Sequence, residues 1–75
     1  MLALRLTYLR KELELTQAEL SKKLKISRSA YSHYESGQHD PPISTLILFA
    51  DFYGVSLDFL VGRTDIRKPY PKKTF

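Results

Sequence analysis

The stretch Thr16-Gln-Ala-Glu-Leu-Ser-Lys-Lys-Leu-Lys-Ile-Ser-Arg-Ser-Ala-Tyr-Ser-His-Tyr-Glu-Ser-Gly37 decides how this chain reads. Its first four residues, Thr16 to Glu19, have the form of a capping box. A hydroxyl at the N-cap and a glutamate three positions on each satisfy an N–H that the first helical turn leaves open. Leu20 and Leu24 then supply the buried face of a helix. Lys25-Ile26 interrupts it, and Ser27 offers a second N-cap. A further helix, from about Arg28 to Ser36, stops at Gly37, the residue best suited to a left-handed C′ position.

Working outward, Leu2, Leu6, Leu9 and Leu13 recur at the spacing of one apolar helical stripe. Downstream, Gln38-His39-Asp40-Pro41-Pro42 reads as a loop, because consecutive prolines deny the backbone both helix and ladder. A fourth helix spans roughly Ile43 to Tyr53 and ends at Gly54, with Ile43, Leu46, Ala50 and Tyr53 as its core stripe. Ser56 caps a last short helix, Leu57 to Val61, which Gly62 terminates. Five helices joined by loops of a few residues predict an all-α, compact five-helix bundle. The break at Lys25-Ile26 is too short for a long antiparallel hairpin, so the third helix crosses the second steeply, as in a helix-turn-helix. The domain is expected over residues 1–64, with the two-helix motif at about 16–36. Residues 65–75, basic and proline-containing, read as a mobile tail.

The helix over 28–36 has two distinct faces. At 100° per residue, Ala30, Tyr31, Tyr34 and Glu35 cluster on one side. Ser29, Ser32, His33 and Ser36 fall on the other, with Arg28 at the N-terminal end. A solvated helix face usually carries Glu and Lys; this one has no acid. Small hydroxyls let a helix sit deep in a major groove, where Arg pairs with guanine and Ser or His meets base edges or phosphate. Arg10 supplies an internal check. It lies between Leu6 and Leu13 on the apolar stripe, where a desolvated guanidinium needs a carboxylate. Glu35, on the inner face beside Tyr31, is its natural partner, in a structural ion pair.

Charge is distributed unevenly. Residues 1–28 hold seven Lys/Arg and three Glu, residues 29–62 hold four acids and no Lys or Arg, and residues 63–75 hold five basic residues and Asp65. One basic face meeting a polyanion fits that pattern. With 75 residues the chain has room for one domain, and without cysteine it has neither a disulfide framework nor a thiolate metal site. No apolar run is long enough to span a membrane and Met1-Leu2-Ala3-Leu4 lacks the basic start of a signal peptide, so a cytoplasmic location is expected. A membrane-surface role for Arg67, Lys68, Lys72 and Lys73 is disfavoured because Pro69 and Pro71 prevent an amphipathic helix. His33 and His39 are the only histidines and neither has a partner at ligand spacing on a shared helix face. No phosphate loop or nucleophile elbow is present. The reading is a non-enzyme with no catalytic residues, no metal and no cofactor.

At this point the residues resemble a known family. Thr16-Gln17-Ala18-Glu19-Leu20, then Ile26-Ser27-Arg28-Ser29 with Tyr34-Glu35-Ser36-Gly37, then Ala50-Asp51-Phe52-Tyr53-Gly54-Val55-Ser56-Leu57-Asp58-Phe59-Leu60 are similar to the phage repressor/Cro-type (XRE-like) helix-turn-helix family over about residues 3–64. The resemblance implies a lambda-repressor-like five-helix domain, a dimeric repressor of transcription that binds palindromic operators in double-stranded DNA. It implies that Gln17 clamps a phosphate and buttresses the reading helix, and that Arg28, Ser29, Ser32 and His33 occupy base-reading positions. Backbone amides at the start of the second helix and near Gln38 would hold phosphates, with Ser27 beside them.

Three positions depart from the family pattern: Lys25 where glycine is frequent, a loop after Gly37 that is not basic, and Leu48 at a site frequently polar. The preferred reading of Leu48 and Phe52, spaced i, i+4, is an exposed patch. With Phe59 and Val61 it would form a two-fold interface that sets two reading helices ~34 Å apart. The alternative is an antitoxin or anti-repressor of the same fold, acting mainly through a protein partner on that patch.

Overall fold

The computed structural model describes residues 1–71. Lys72 and Lys73, counted above with the basic tail, lie outside the described residues. The fold is all-α, with five helices: α1 (Leu2–Glu12), α2 (Gln17–Leu24), α3 (Arg28–Ser36), α4 (Ile43–Tyr53) and α5 (Leu57–Leu60). The caps form where the hydroxyls stand. Thr16 Oγ1 accepts from the Glu19 N–H at 3.0 Å and Glu19 Oε1 accepts from the Thr16 N–H at 2.9 Å, closing the capping box of α2. Ser27 and Ser56 accept from Ala30 and Phe59, three residues on, and start α3 and α5.

All five helices end in one and the same turn. In each, a left-handed residue reverses the chain, and the next N–H returns to a carbonyl five residues back, as in a Schellman motif. The left-handed residues are Glu14, Lys25, Gly37, Gly54 and Gly62, and the closing bonds are Leu15→Arg10, Ile26→Ser21, Gln38→His33, Val55→Ala50 and Arg63→Asp58. Glycine adopts this conformation freely, whereas for other residues it costs about 1–2 kcal/mol. Lys25, at φ 58° and ψ 39°, accepts that cost so that α3 can follow α2 directly.

The turn at Glu14 corrects one sequence expectation. Leu13 falls past the last residue of α1 and is 52% exposed; Leu15, beyond the turn, packs on the core in its place. On α4 the stripe is also rotated. Ile43 is exposed at the helix start, and Phe49, fully buried, carries the face together with Leu46, Ala50 and Tyr53. Five contiguous apolar residues, Leu46 to Ala50, left the period ambiguous, and packing against α3 chose Phe49. Its ring meets Tyr31 edge-on at 5.8 Å and Tyr34 at 6.2 Å. Tyr31, Phe49, Leu6, Leu9, Leu20 and Leu60 are the fully buried side chains. Burial of each contributes roughly 1.5–3 kcal/mol relative to exposure.

Phe59, expected at a two-fold interface, is only 6% exposed and belongs to this core. One turn of α5 aims it toward α1, where the Arg5 guanidinium carbon lies 4.0 Å from its ring centroid. Val61 is half-buried. Residues 63–71 have no regular structure, but over 65–71 the chain is not the free tail that its composition suggests. Arg5 donates to the carbonyls of Phe59 and Thr64 and to Asp65. The Ser56 N–H donates to the Arg67 carbonyl at 2.9 Å, and Arg67 makes two bonds to the carboxylate of Glu12. Tyr70 reaches Asp58 at 2.6 Å. Periodicity is blind to such a strap, because isolated arginines and carboxylates hold it.

Candidate nucleic-acid interface

Tyr31 fixes the inner side of α3 through its buried ring, and Glu35 fixes it one turn later. The Glu35 side chain is 5% exposed and faces Arg10, whose Nε lies 2.6 Å from Oε2 and whose Nη2 lies 3.0 Å from Oε1. Arg10 Nη1 also donates to the Leu15 carbonyl at 2.8 Å. Thr7 Oγ1 and Gln17 Nε2 each donate to Oε1 at 3.0 Å. A single carboxylate on α3 is thus bonded to α1 twice over and to the first residue of α2. Burial alone would raise the carboxyl's pKa, but the bonds from Arg10 foremost, with Gln17 and Thr7, outweigh it and hold the group below its ordinary value. The phenol of Tyr53 is pushed up to about 12 by burial. The hydroxyls of Tyr31 and Tyr53 are buried without a hydrogen-bond partner among the described residues. Such groups cost stability, so the interior of this small bundle is polar at some expense.

The opposite side of α3 is left to solvent. Arg28 and Ser29 are exposed, and Ser32 and His33 are half-buried on its shoulders. Ser27 and Gln38 flank it, both exposed. The Ser27 hydroxyl is engaged in capping Ala30, which leaves its lone pairs and proton only partly available. Gln17 is half-buried with its amide nitrogen on Glu35, so its carbonyl end and the backbone N–H groups of the first turn of α2 remain the groups free to meet a ligand. The only acid on α3 is Glu35, and it is turned inward.

The arginines divide sharply. The four ion pairs of the described residues are Arg5–Asp65, Arg10–Glu35, Arg63–Asp58 and Arg67–Glu12. Every arginine of the chain takes part in one except Arg28, the first residue of α3. Lys22, Lys23 and Lys25 are exposed beside it on the α2–α3 segment. The positive charge that the sequence shows in its first third therefore separates into two structural arginines on α1, Arg5 and Arg10, and residues with no ion pair among the described residues, which are Lys11 on α1 and Lys22, Lys23, Lys25 and Arg28 at the α2–α3 junction. Of the arginines read from sequence as part of a basic tail, Arg67 is held by two bonds to Glu12, and Arg63, largely exposed, lies 3.6 Å from Asp58.

Sequence reasoning missed Thr7, the second donor from α1 to Glu35, because a threonine inside a leucine stripe gives no signal of its own. It also missed Ser21, which is buried next to Leu20 with its hydroxyl bonded back to the Ala18 carbonyl. Its small size, beside Leu20 on the buried face of α2, was the available clue.

Comparison with known proteins agrees with this architecture. A helix-turn-helix family profile matches residues 6–60. An uncharacterized HTH-type transcriptional regulator, YobD, of Bacillus subtilis (strain 168) is 41% identical over 68 residues, 91% of this chain and 59% of the relative. The HTH-type transcriptional regulator ImmR of the same organism is 36% identical over 64 residues, covering 85% and 50%. The cryptic phage CTXphi transcriptional repressor RstR of Vibrio cholerae serotype O1 is 39% identical over 59 residues, covering 79% and 53%. The chain spans about half the length of these curated relatives. No solved structure matches. No helix among the described residues is long and apolar enough to cross a membrane. The matched span runs from the buried face of α1 through α5 and includes the Arg10–Glu35 pair and all of α3; the chain belongs to the helix-turn-helix family of phage-repressor-like (XRE-type) transcriptional regulators.

Proposed function

We propose that this protein binds double-stranded DNA sequence-specifically, as a homodimeric repressor that lays α3 of each subunit into the major groove of a palindromic operator. The observation that carries the reading is Arg28. It is the one arginine without a carboxylate among the described residues, it opens the exposed face of α3, and no acid competes with phosphate for that face. Arg28 would pair with guanine, Ser29, Ser32 and His33 would meet base edges or phosphate, and Gln17, Ser27 and Gln38 would border the phosphate backbone. The Glu35 cluster would hold α3 rigidly, so that ordering it costs little on binding. Lys22, Lys23 and Lys25 add charge that releases counterions, and binding would weaken steeply with salt.

For the two-fold interface, the support is the exposed apolar side of α4. Ile47 and Leu48 are exposed and Phe52 is half-buried against the core, with Val61 as a further half-buried candidate on the chain that follows α5. Phe59 is withdrawn from that set. The DNA-binding domain is taken to extend past residue 64, as far as the strap to Tyr70.

Selection from random duplexes tests the reading. A two-fold-symmetric consensus, with affinity falling steeply between low and physiological salt, is the expected result. Failure to enrich any sequence, or an affinity insensitive to salt, refutes it. Sedimentation at high micromolar concentration without DNA tests the dimer, where a monomer counts against it. A stoichiometric protein partner captured through Leu48, with no duplex selected, would favour the antitoxin or anti-repressor reading.

A further inference from the structure

The turn that ends α3 does more than stop the helix. Gly37, at φ 80°, reverses the chain so that the N–H groups of Gln38 and His39 point back at the His33 carbonyl, at 3.0 and 3.3 Å. The Ser36 hydroxyl donates to that same oxygen at 3.1 Å. The reversal brings the His39 imidazole onto that of His33, with ring centroids 5.0 Å apart and planes 18° from parallel. His33 sits on the exposed side of α3, and His39 lies in the loop beyond it. Among the described residues no hydrogen bond or ion pair holds either ring, and the stack is a contact that restrains the His33 ring.

Resting on the DNA-reading function proposed above, we infer that His39 is a positioning residue for sequence readout: its ring, laid against that of His33, selects the rotamer in which His33 meets the groove. An imidazole read at a base edge has to present one nitrogen in one direction, and an exposed side chain free to rotate spreads that nitrogen over several directions. A flat neighbour in contact with one face of the ring removes some of that freedom before DNA arrives, which favours the bound arrangement without touching a base itself. The requirement on position 39 is flatness rather than charge or hydrogen bonding, so another aromatic ring would serve.

The experiment is a selection from random duplexes with the full chain and three variants, His33→Ala, His39→Ala and His39→Phe. His33→Ala identifies the base pair that His33 reads. The inference expects His39→Ala to lose preference at that same base pair, by about two- to tenfold, the effect of freeing one ordered side chain, with the remaining positions unchanged. His39→Phe should restore the preference. An unchanged consensus for His39→Ala overturns the inference while leaving the DNA reading intact. So does a His39→Phe variant that behaves like His39→Ala, since the imidazole would then be making a contact of its own. An unchanged consensus for His33→Ala also overturns it. A parent protein that enriches no sequence overturns both the function and this inference.

Discussion

The two ends of this molecule use arginine in opposite ways. At the α1–α5 end, Arg5 is largely buried, with its guanidinium over Phe59 and its N–H groups on two carbonyls and Asp65. Arg67 completes that end by tying the strap to Glu12. At the α2–α3 end, Arg28 has no carboxylate and a surface of serines around it. Between them, Arg10 binds Glu35 in the interior and so keeps the one acid of α3 away from the open side. The difference teaches where a basic protein keeps its available charge. Net charge counts all arginines alike, but a guanidinium already paired with a carboxylate offers little to a second anion. The Arg10–Glu35 pair serves the open end as much as the core, because an unpaired Glu35 on α3 would oppose phosphate.

The sharpest way to break that division is to remove the buried carboxylate. Glu35→Ala leaves Arg10 desolvated without a counter-charge and should cost about 3–5 kcal/mol in urea unfolding, enough to leave a domain of this size close to unfolded. Glu35→Gln separates charge from packing. The carboxyl of Glu35 is held below its ordinary value, so its contribution is fully present above pH 4.5 and is lost as pH falls through the folded-state value. The wild type should lose stability in that acid range, and Glu35→Gln, weaker at neutral pH, should lose less there. Equal slopes would mean that other carboxylates govern acid unfolding.

At the open end, Arg28→Ala should leave the unfolding midpoint nearly unchanged while weakening DNA binding by about 1–3 kcal/mol and relaxing preference at one base pair. A variant that unfolds earlier would show Arg28 to be structural after all, and the division would fail. At the closed end, Arg5→Ala should do the reverse. It is expected to lower stability by about 1–2 kcal/mol, through bonds left unmade to Phe59 and Thr64, and to leave the consensus sequence intact. Hydrogen exchange at the Ser56 amide, bonded to Arg67, would rise with it. The smallest effect concerns the turn that joins α2 to α3. Lys25→Gly relieves the left-handed strain but loosens the unfolded chain, for a net gain of roughly 0.5 kcal/mol. A loss instead would show that the lysine stem packs usefully.

The helices were legible because their signals are local. Thr16 with Glu19, Ser27, Ser56, Gly37 and Gly54 each act within a few residues, and short-range geometry suffices to place their hydrogen bonds. The two faces of α3 and the partner of Arg10 could be anticipated too, since helical periodicity together with the cost of a buried charge leaves few arrangements. Four features were settled only in three dimensions. Phe49 displaced Ile43 from the core because Tyr31 and Tyr34 stand opposite it. Leu13 was left outside by the turn at Glu14, and Phe59 was drawn in beneath Arg5. The strap from Asp65 to Tyr70 closes on residues about 10 to 60 positions away in sequence. Sequence fixes what the backbone does over one or two turns, where the interacting groups are covalent neighbours. Which of several adjacent apolar residues is buried, and which charges find each other, depends on surfaces brought together by the whole fold, and no local pattern records them.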